Sequence, residues 1–146
     1  MAKLEFKMAR GGTFVANIMV DKVPKTWAAI KENMPITQKA FNARWSGRET
    51  HTPMNFPNKP PRENQILHAG LGDVIYAWEW PDNREYTGFE AIGWFYGGER
   101  VRDWRGSCPV NLIGRVDQLQ WPLLEQIGNR TWREGGEDCN IRVIDD

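Results

Sequence analysis

The run Asp73-Val74-Ile75-Tyr76-Ala77-Trp78-Glu79-Trp80 constrains this chain more than any other segment. Its β-branched and aromatic content reads as a strand, with Val74, Tyr76, Trp78 and Trp80 on one face and Ile75, Ala77 and Glu79 on the other. Runs of the same kind recur at Lys3 to Met8, Thr13 to Val20, about Lys39 to Ser46, Phe89 to Tyr96, Val110 to Val116 and Asn140 to Ile144. Most are bounded by glycine or proline, and Arg10-Gly11-Gly12 joins the first two as a hairpin. Pro24 to Pro35 reads as a short helix with Trp27, Ile30 and Met34 on its inner face, and Leu119 to Ile127 as a second despite Pro122. Between Thr52 and Asn64 lie Pro53, Pro57, Pro60 and Pro61, a loop expected to be ordered by proline rather than by packing. The pattern predicts a mainly β fold, a closed or nearly closed antiparallel β-barrel with one or two short helices, in a single domain over 1–146.

At 146 residues the chain can bury a core without disulfides or metals. Nineteen basic residues balance nineteen acidic ones with no basic stripe, so no nucleic-acid partner is expected. Met1 to Phe6 alternates charge and hydrophobe instead of carrying an apolar run, and no stretch approaches the roughly 20 apolar residues of a span. A cytoplasmic protein without membrane contact is the expectation. Cys108 and Cys139 lack a C-x-x-C spacing and read as free thiols, half-buried or buried.

Four motifs fall in a telling order: Pro24-Lys25-Thr26 on the first helix, Ala43-Arg44-Trp45-Ser46-Gly47, Gly72-Asp73-Val74 at a strand start, and Pro109-Val110-Asn111-Leu112-Ile113-Gly114-Arg115-Val116. In these the chain resembles small bacterial proteins with a cyclophilin-like β-barrel, mostly of unknown function, which are similar to the cyclophilin-like part of the opine-forming enzyme cucumopine synthase. The likeness covers roughly residues 3 to 117 and implies a fold and a pocket location. A true prolyl isomerase would carry Phe-His-Arg after the first helix and Gln-Gly-Gly-Asp soon after. Here Asn42-Ala43-Arg44 keeps only the arginine, so isomerase activity is the lesser expectation.

Within ten residues, Asn42 to His51 hold a cation, an indole, a carboxylate and an imidazole. Arg44 offers a bidentate fork to a substrate carboxylate, and its bland alternative is a strand-end ion pair. Trp45, next along a regular strand, faces the opposite way; it is counted with Arg44 among the substrate-binding residues, with a place in the barrel core as its bland alternative. Glu49 and His51 are two apart, so in an extended segment they share a face and serve as general acid and base. Tyr76, Trp78, Glu79 and Trp94 are the remaining expected substrate-binding residues, with Glu79 a proton carrier if burial raises its pKa. Gly93, among bulky neighbours, leaves room for a ligand or marks a bend. His68 reads as a satisfied structural histidine. No third ligand joins it and His51 at zinc-like spacing, so neither metal nor cofactor is expected. Cys108, with Arg105 nearby, is a weak candidate nucleophile.

Two function classes follow. One is a cofactor-independent enzyme on a small polar or carboxylated metabolite, using acid/base chemistry; the resemblance makes ring closure or opening at a carbon–nitrogen bond, or cyclic amide chemistry, its natural reaction. The other is a non-catalytic module whose pocket holds a small molecule or peptide end. Eight tryptophans exceed what a barrel core needs, so an aromatic patch forming a homodimer is also expected.

Overall fold

The computed structural model describes residues 1–80 and 88–146. Strands β1 (Lys3–Met8) and β2 (Thr13–Ile18) form the first hairpin, turned at Gly11 and Gly12. Helix α1 (Pro24–Asn33) follows, then β3 (Ile36–Asn42), β4 (Glu49–Pro53), the short pairs β5 (Gln65–Ile66) and β6 (His68–Ala69), β7 (Asp73–Trp78) and β8 (Glu90–Phe95). Three two-residue strands, β9 (Glu99–Arg100), β10 (Arg102–Asp103) and β11 (Gly106–Ser107), precede β12 (Val110–Val116), helix α2 (Trp121–Glu134) and β13 (Glu137–Asp145).

The main ladder runs β2-β1-β13-β3-β4-β8-β7-β12, and β12 returns to β2, closing an eight-stranded antiparallel barrel with β5 beside β12. Closure depends on Gly114. The β12–β7 register skips Ile113, and this bulge turns the strand so that Gly114 meets Val74 on one side and Ile18 on the other. A Cβ at Gly114 would stand 2.4 Å from the Asn17 carbonyl oxygen, so only glycine lets the two backbones approach.

Alternation along each strand sends one set of side chains inward. Phe6 stacks on Phe14 at 4.8 Å, and Trp94 meets both edge-on at 5.2 Å. Such aromatic pairs contribute about 0.5–1.5 kcal/mol each beyond the area they bury. Tyr76 lies inside as well, stacked on Phe56 and donating its hydroxyl to buried Glu90.

The helices plug opposite ends. α1 lies toward the end of β13, where the Trp27 indole donates to Asp146. Its N-cap residue, Val23, has no side-chain cap, and Glu63 supplies one from the proline-rich loop by accepting from Lys25 N, Thr26 N and Thr26 Oγ1. α2 lies toward the start of β13, where Arg130 pairs with Glu137 at 2.7 Å. Gly128 lets it seat on the Tyr96 ring, which a Cβ there would meet at 2.2 Å.

Some sequence expectations change. β3 ends at Asn42, whose side-chain amide donates to the Gly47 carbonyl and closes a loop over 43–48; Arg44 and Trp45 are therefore not strand residues. The second helix begins at Trp121, placing Pro122 in its first turn, where a missing N–H costs nothing, and it runs on to Glu134. The loop from Thr52 to Asn64 is held by packing as much as by proline: Met54 and Phe56 are buried, and the Trp80 indole donates to the Pro60 carbonyl. Its first residues belong to β4.

Candidate functional site

A cavity of about 330 Å³ lies against the outer wall of the barrel. That size suits a small organic ligand. Its floor is the outward face of β4, β7, β8 and β12, through Glu49, His51, Ile75, Ala77, Ala91 and Val110. Its roof is the 43–48 loop together with the β10–β11 hairpin, which contribute Arg44, Trp45, Ser46, Arg102, Asp103 and Trp104. Ser46 laces the two parts together, donating to the Arg102 carbonyl at 3.0 Å and accepting from the Arg102 N–H at 3.1 Å.

Glu49 and His51 stand on β4 with His51 opposite Gly93 and Glu49 opposite Phe95. Their period-two spacing directs both into the cavity. Glu49 is 7% exposed. Burial pushes its carboxyl up from the ordinary 4.5 to about 8, against a smaller opposing pull from the Ser46 hydroxyl. Burial also lowers the His51 imidazole to about 4. At neutral pH the pair is thus an uncharged acid beside an uncharged base. His51 is wedged edge-on against Phe89 at 5.6 Å, and its ring nitrogens have no hydrogen-bond partner among the described residues.

Charge gathers at the rim. Arg44 is exposed and its guanidinium forms no hydrogen bond or ion pair among the described residues. Arg105 pairs with Glu79 at 2.8 Å and with Asp103 at 2.6 Å, so Glu79 is engaged by a guanidinium at the cavity edge. Cys108 also lines the cavity, but burial first and Asp103 next push its thiol up to about 11, so it stays protonated at neutral pH. No cluster of three potential metal ligands occurs among the described residues. No helix among them is long and apolar enough to cross a membrane.

The sequence matches a family model over residues 8–143, nearly its whole length. The chain belongs to DUF3830, a family of proteins of unknown function. This DUF3830 chain is similar in structure to McbB, solved in complex with tryptophan, with a TM-score of 0.73 and 15% identity over 95% of this chain and 44% of McbB. It thus spans less than half the length of that protein. It is also similar to the hypothetical protein AF2241 from Archaeoglobus fulgidus, solved in solution, with a TM-score of 0.60 and 21% identity over 97% of this chain and 93% of that one. No curated protein matches the sequence. The fold is the cyclophilin-like barrel that the sequence resemblance implied.

Of the residues singled out in the DUF3830 sequence, Arg44, Trp45, Glu49, His51, Trp78 and Glu79 all line the one cavity. Tyr76 and Trp94 do not. They sit on inward positions of β7 and β8 and are fully buried inside the barrel. The core alternative for Trp45 does not hold: it is 48% exposed at the cavity rim, because β3 has already ended. His68 lies exposed on β6, away from the cavity lining, and is not a buried structural histidine. Sequence reasoning missed Ser46 as a roof latch, and missed Asp103 and Trp104. Ala91 and Gly93, small residues on one face of a strand otherwise bulky, were the available signal for the cavity.

Proposed function

We propose that this protein is an enzyme acting on a small carboxylated metabolite by general acid/base catalysis at a carbon–nitrogen bond, without a resident cofactor. One observation carries the reading: a buried, uncharged Glu49 and an uncharged His51 share one strand face in a cavity whose rim bears the unengaged guanidinium of Arg44. Arg44 would hold the substrate carboxylate through its fork, leaving the rest of the molecule against Trp45, Trp78 and Phe89. McbB, which shares the fold, is solved with tryptophan, a molecule that bears a carboxylate beside a flat ring.

The chemistry follows from the protonation states. In ring closure, an atom of the substrate attacks the carbon of a C=N group; Glu49 delivers its proton to the nitrogen as His51 removes the proton shed by the attacking atom. Glu49 is then a carboxylate and His51 an imidazolium, and proton return resets both. Run backwards, the same transfers open the ring; with a cyclic amide, His51 takes a proton from a water that attacks the carbonyl carbon and Glu49 gives its proton to the ring nitrogen as the C–N bond breaks, leaving an amine and a carboxylic acid. Positioned acid/base groups of this kind contribute about 10²–10⁴-fold to a rate.

The test is turnover of imine-forming and cyclic-amide carboxylates by wild type and Glu49→Gln. Turnover lost by about 10²–10⁴ with ligand affinity nearly unchanged supports the reading. Tight binding by both proteins with turnover by neither would make the pocket a binding module.

A further inference from the structure

Gly93 has no backbone reason to be glycine. It lies in the interior of β8, paired on both sides, and its φ is not in the positive region that glycine alone tolerates. Glycine at such a position weakens a strand, since it loses more freedom on folding and packs no side chain. What it leaves open is space on the cavity side. A Cβ built on Gly93 would lie 2.5 Å from Glu49 Oε2 and 3.4 Å from its carboxyl carbon, with the Thr50 carbonyl at 3.3 Å. The Glu49 carboxyl, through Oε2, therefore fills space that a methyl group would need.

The geometry points to Gly93 as the positioning residue of this site: by lacking a side chain it lets the Glu49 carboxyl lie on the floor of the cavity, away from water, next to the strand position of His51. Neighbouring outward residues agree with this division. Ala91 and Ala77 on the floor are small but carry a Cβ, whereas Gly93, beneath the Glu49 carboxyl, is bare. The placement itself is independent of any reaction; its effect on turnover rests on Glu49 acting as the acid.

Gly93→Ala forces the carboxyl off the floor toward the open side of the cavity, where it regains water. Its titration, read by ¹³C NMR of side-chain-labelled glutamate, should fall from near 8 toward the ordinary carboxylate range by at least about one pH unit. Glu49→Asp shortens the arm by one methylene, about 1.5 Å, and clears the new methyl group. In that background the same Gly93→Ala change should move the carboxyl titration by much less. A control for folding removes the carboxyl altogether: in Glu49→Ala, adding Gly93→Ala should leave the melting temperature unchanged or higher, since it fills vacated space and removes a strand glycine.

An unshifted Glu49 titration in Gly93→Ala overturns the inference. So does equal damage in the Glu49 and Glu49→Asp backgrounds, or a lower melting temperature of Glu49→Ala on adding Gly93→Ala, because the crowding would then lie with Thr50. A titration that moves while turnover does not would uphold the placement and overturn the proposed reaction.

Discussion

The Ser46 hydroxyl and the Arg102 backbone are joined by two hydrogen bonds, at 3.0 and 3.1 Å, that tie the 43–48 loop to the β10–β11 hairpin across the top of the cavity. The Arg102 side chain adds a third tie by donating to the Trp45 carbonyl at 2.8 Å. The roof is thus fastened mainly through one small polar residue that also neighbours Glu49.

Replacing Ser46 by alanine leaves the Arg102 N–H and C=O without their partner. It should cost about 1–3 kcal/mol of stability, measured by urea unfolding. Because the hydroxyl favours the charged form of Glu49, its loss should also push the Glu49 titration higher, which ¹³C NMR would detect. A drop in stability with the Glu49 titration lowered would contradict this account.

Arg44→Ala should leave stability within about 0.5 kcal/mol, since the side chain is exposed and engages nothing among the described residues. Its effect belongs to ligands. A carboxylate at about 100 times its dissociation constant should stabilise wild type by about 2.7 kcal/mol, a shift of several degrees, and the variant much less. Arg44→Lys should recover only part of the shift, because an ammonium cannot present two parallel donors.

Stability should depend on pH in two opposed ways. The folded protein keeps the Glu49 proton that the unfolded chain releases above the ordinary 4.5, so this group's contribution falls as pH rises from 4.5 to about 8 and then levels. The folded His51 refuses until about 4 a proton that the unfolded chain takes up below the ordinary 6.5, so its contribution falls as pH drops through that window. Glu49→Gln removes the first effect only. Its stability advantage over wild type should widen by about 3 kcal/mol between pH 4.5 and 7, followed by thermal unfolding at each pH. A constant difference across that range would mean that Glu49 is not held uncharged.

Turnover should follow the same two groups. The competent pair is protonated Glu49 with neutral His51, so kcat/KM should be broad, falling below about pH 4 and above about pH 8. A profile centred on either value would point to other groups.

Gly114→Ala should be among the most damaging single-methyl additions, costing more than about 2 kcal/mol, because the new carbon meets the Asn17 carbonyl at 2.4 Å where β12 and β2 close the barrel. Circular dichroism and urea unfolding would check it. A variant as stable as wild type would show that the seam opens without loss.

Period and punctuation made the barrel legible: the long strands and both helices announce themselves through alternation, glycine and proline. The excursion over Glu99 to Ser107 was not legible, because strands of two residues carry no periodicity and are held by partners far away in sequence, such as Ser46. Glu49 and His51 could be paired from their spacing, since an extended chain fixes which residues share a side. The core alternative for Trp45 fails because the same rule was carried past Asn42, where a side-chain hydrogen bond to Gly47 ends the strand. Tyr76 and Trp94 were misassigned for a different reason: alternation says that two faces differ but not which of them is the inside.

The cavity lies outside a barrel that is filled by Phe6, Phe14, Tyr76 and Trp94. Along β7 and β8, even positions pack inside the barrel, while the odd positions Ile75, Ala77 and Phe95 build a second buried cluster on its outer wall, beside the cavity. If the cavity binds a substrate, a mutational library at its exposed lining residues Trp45 and Phe89, which belong to neither buried cluster, would change specificity while the scaffold stays intact.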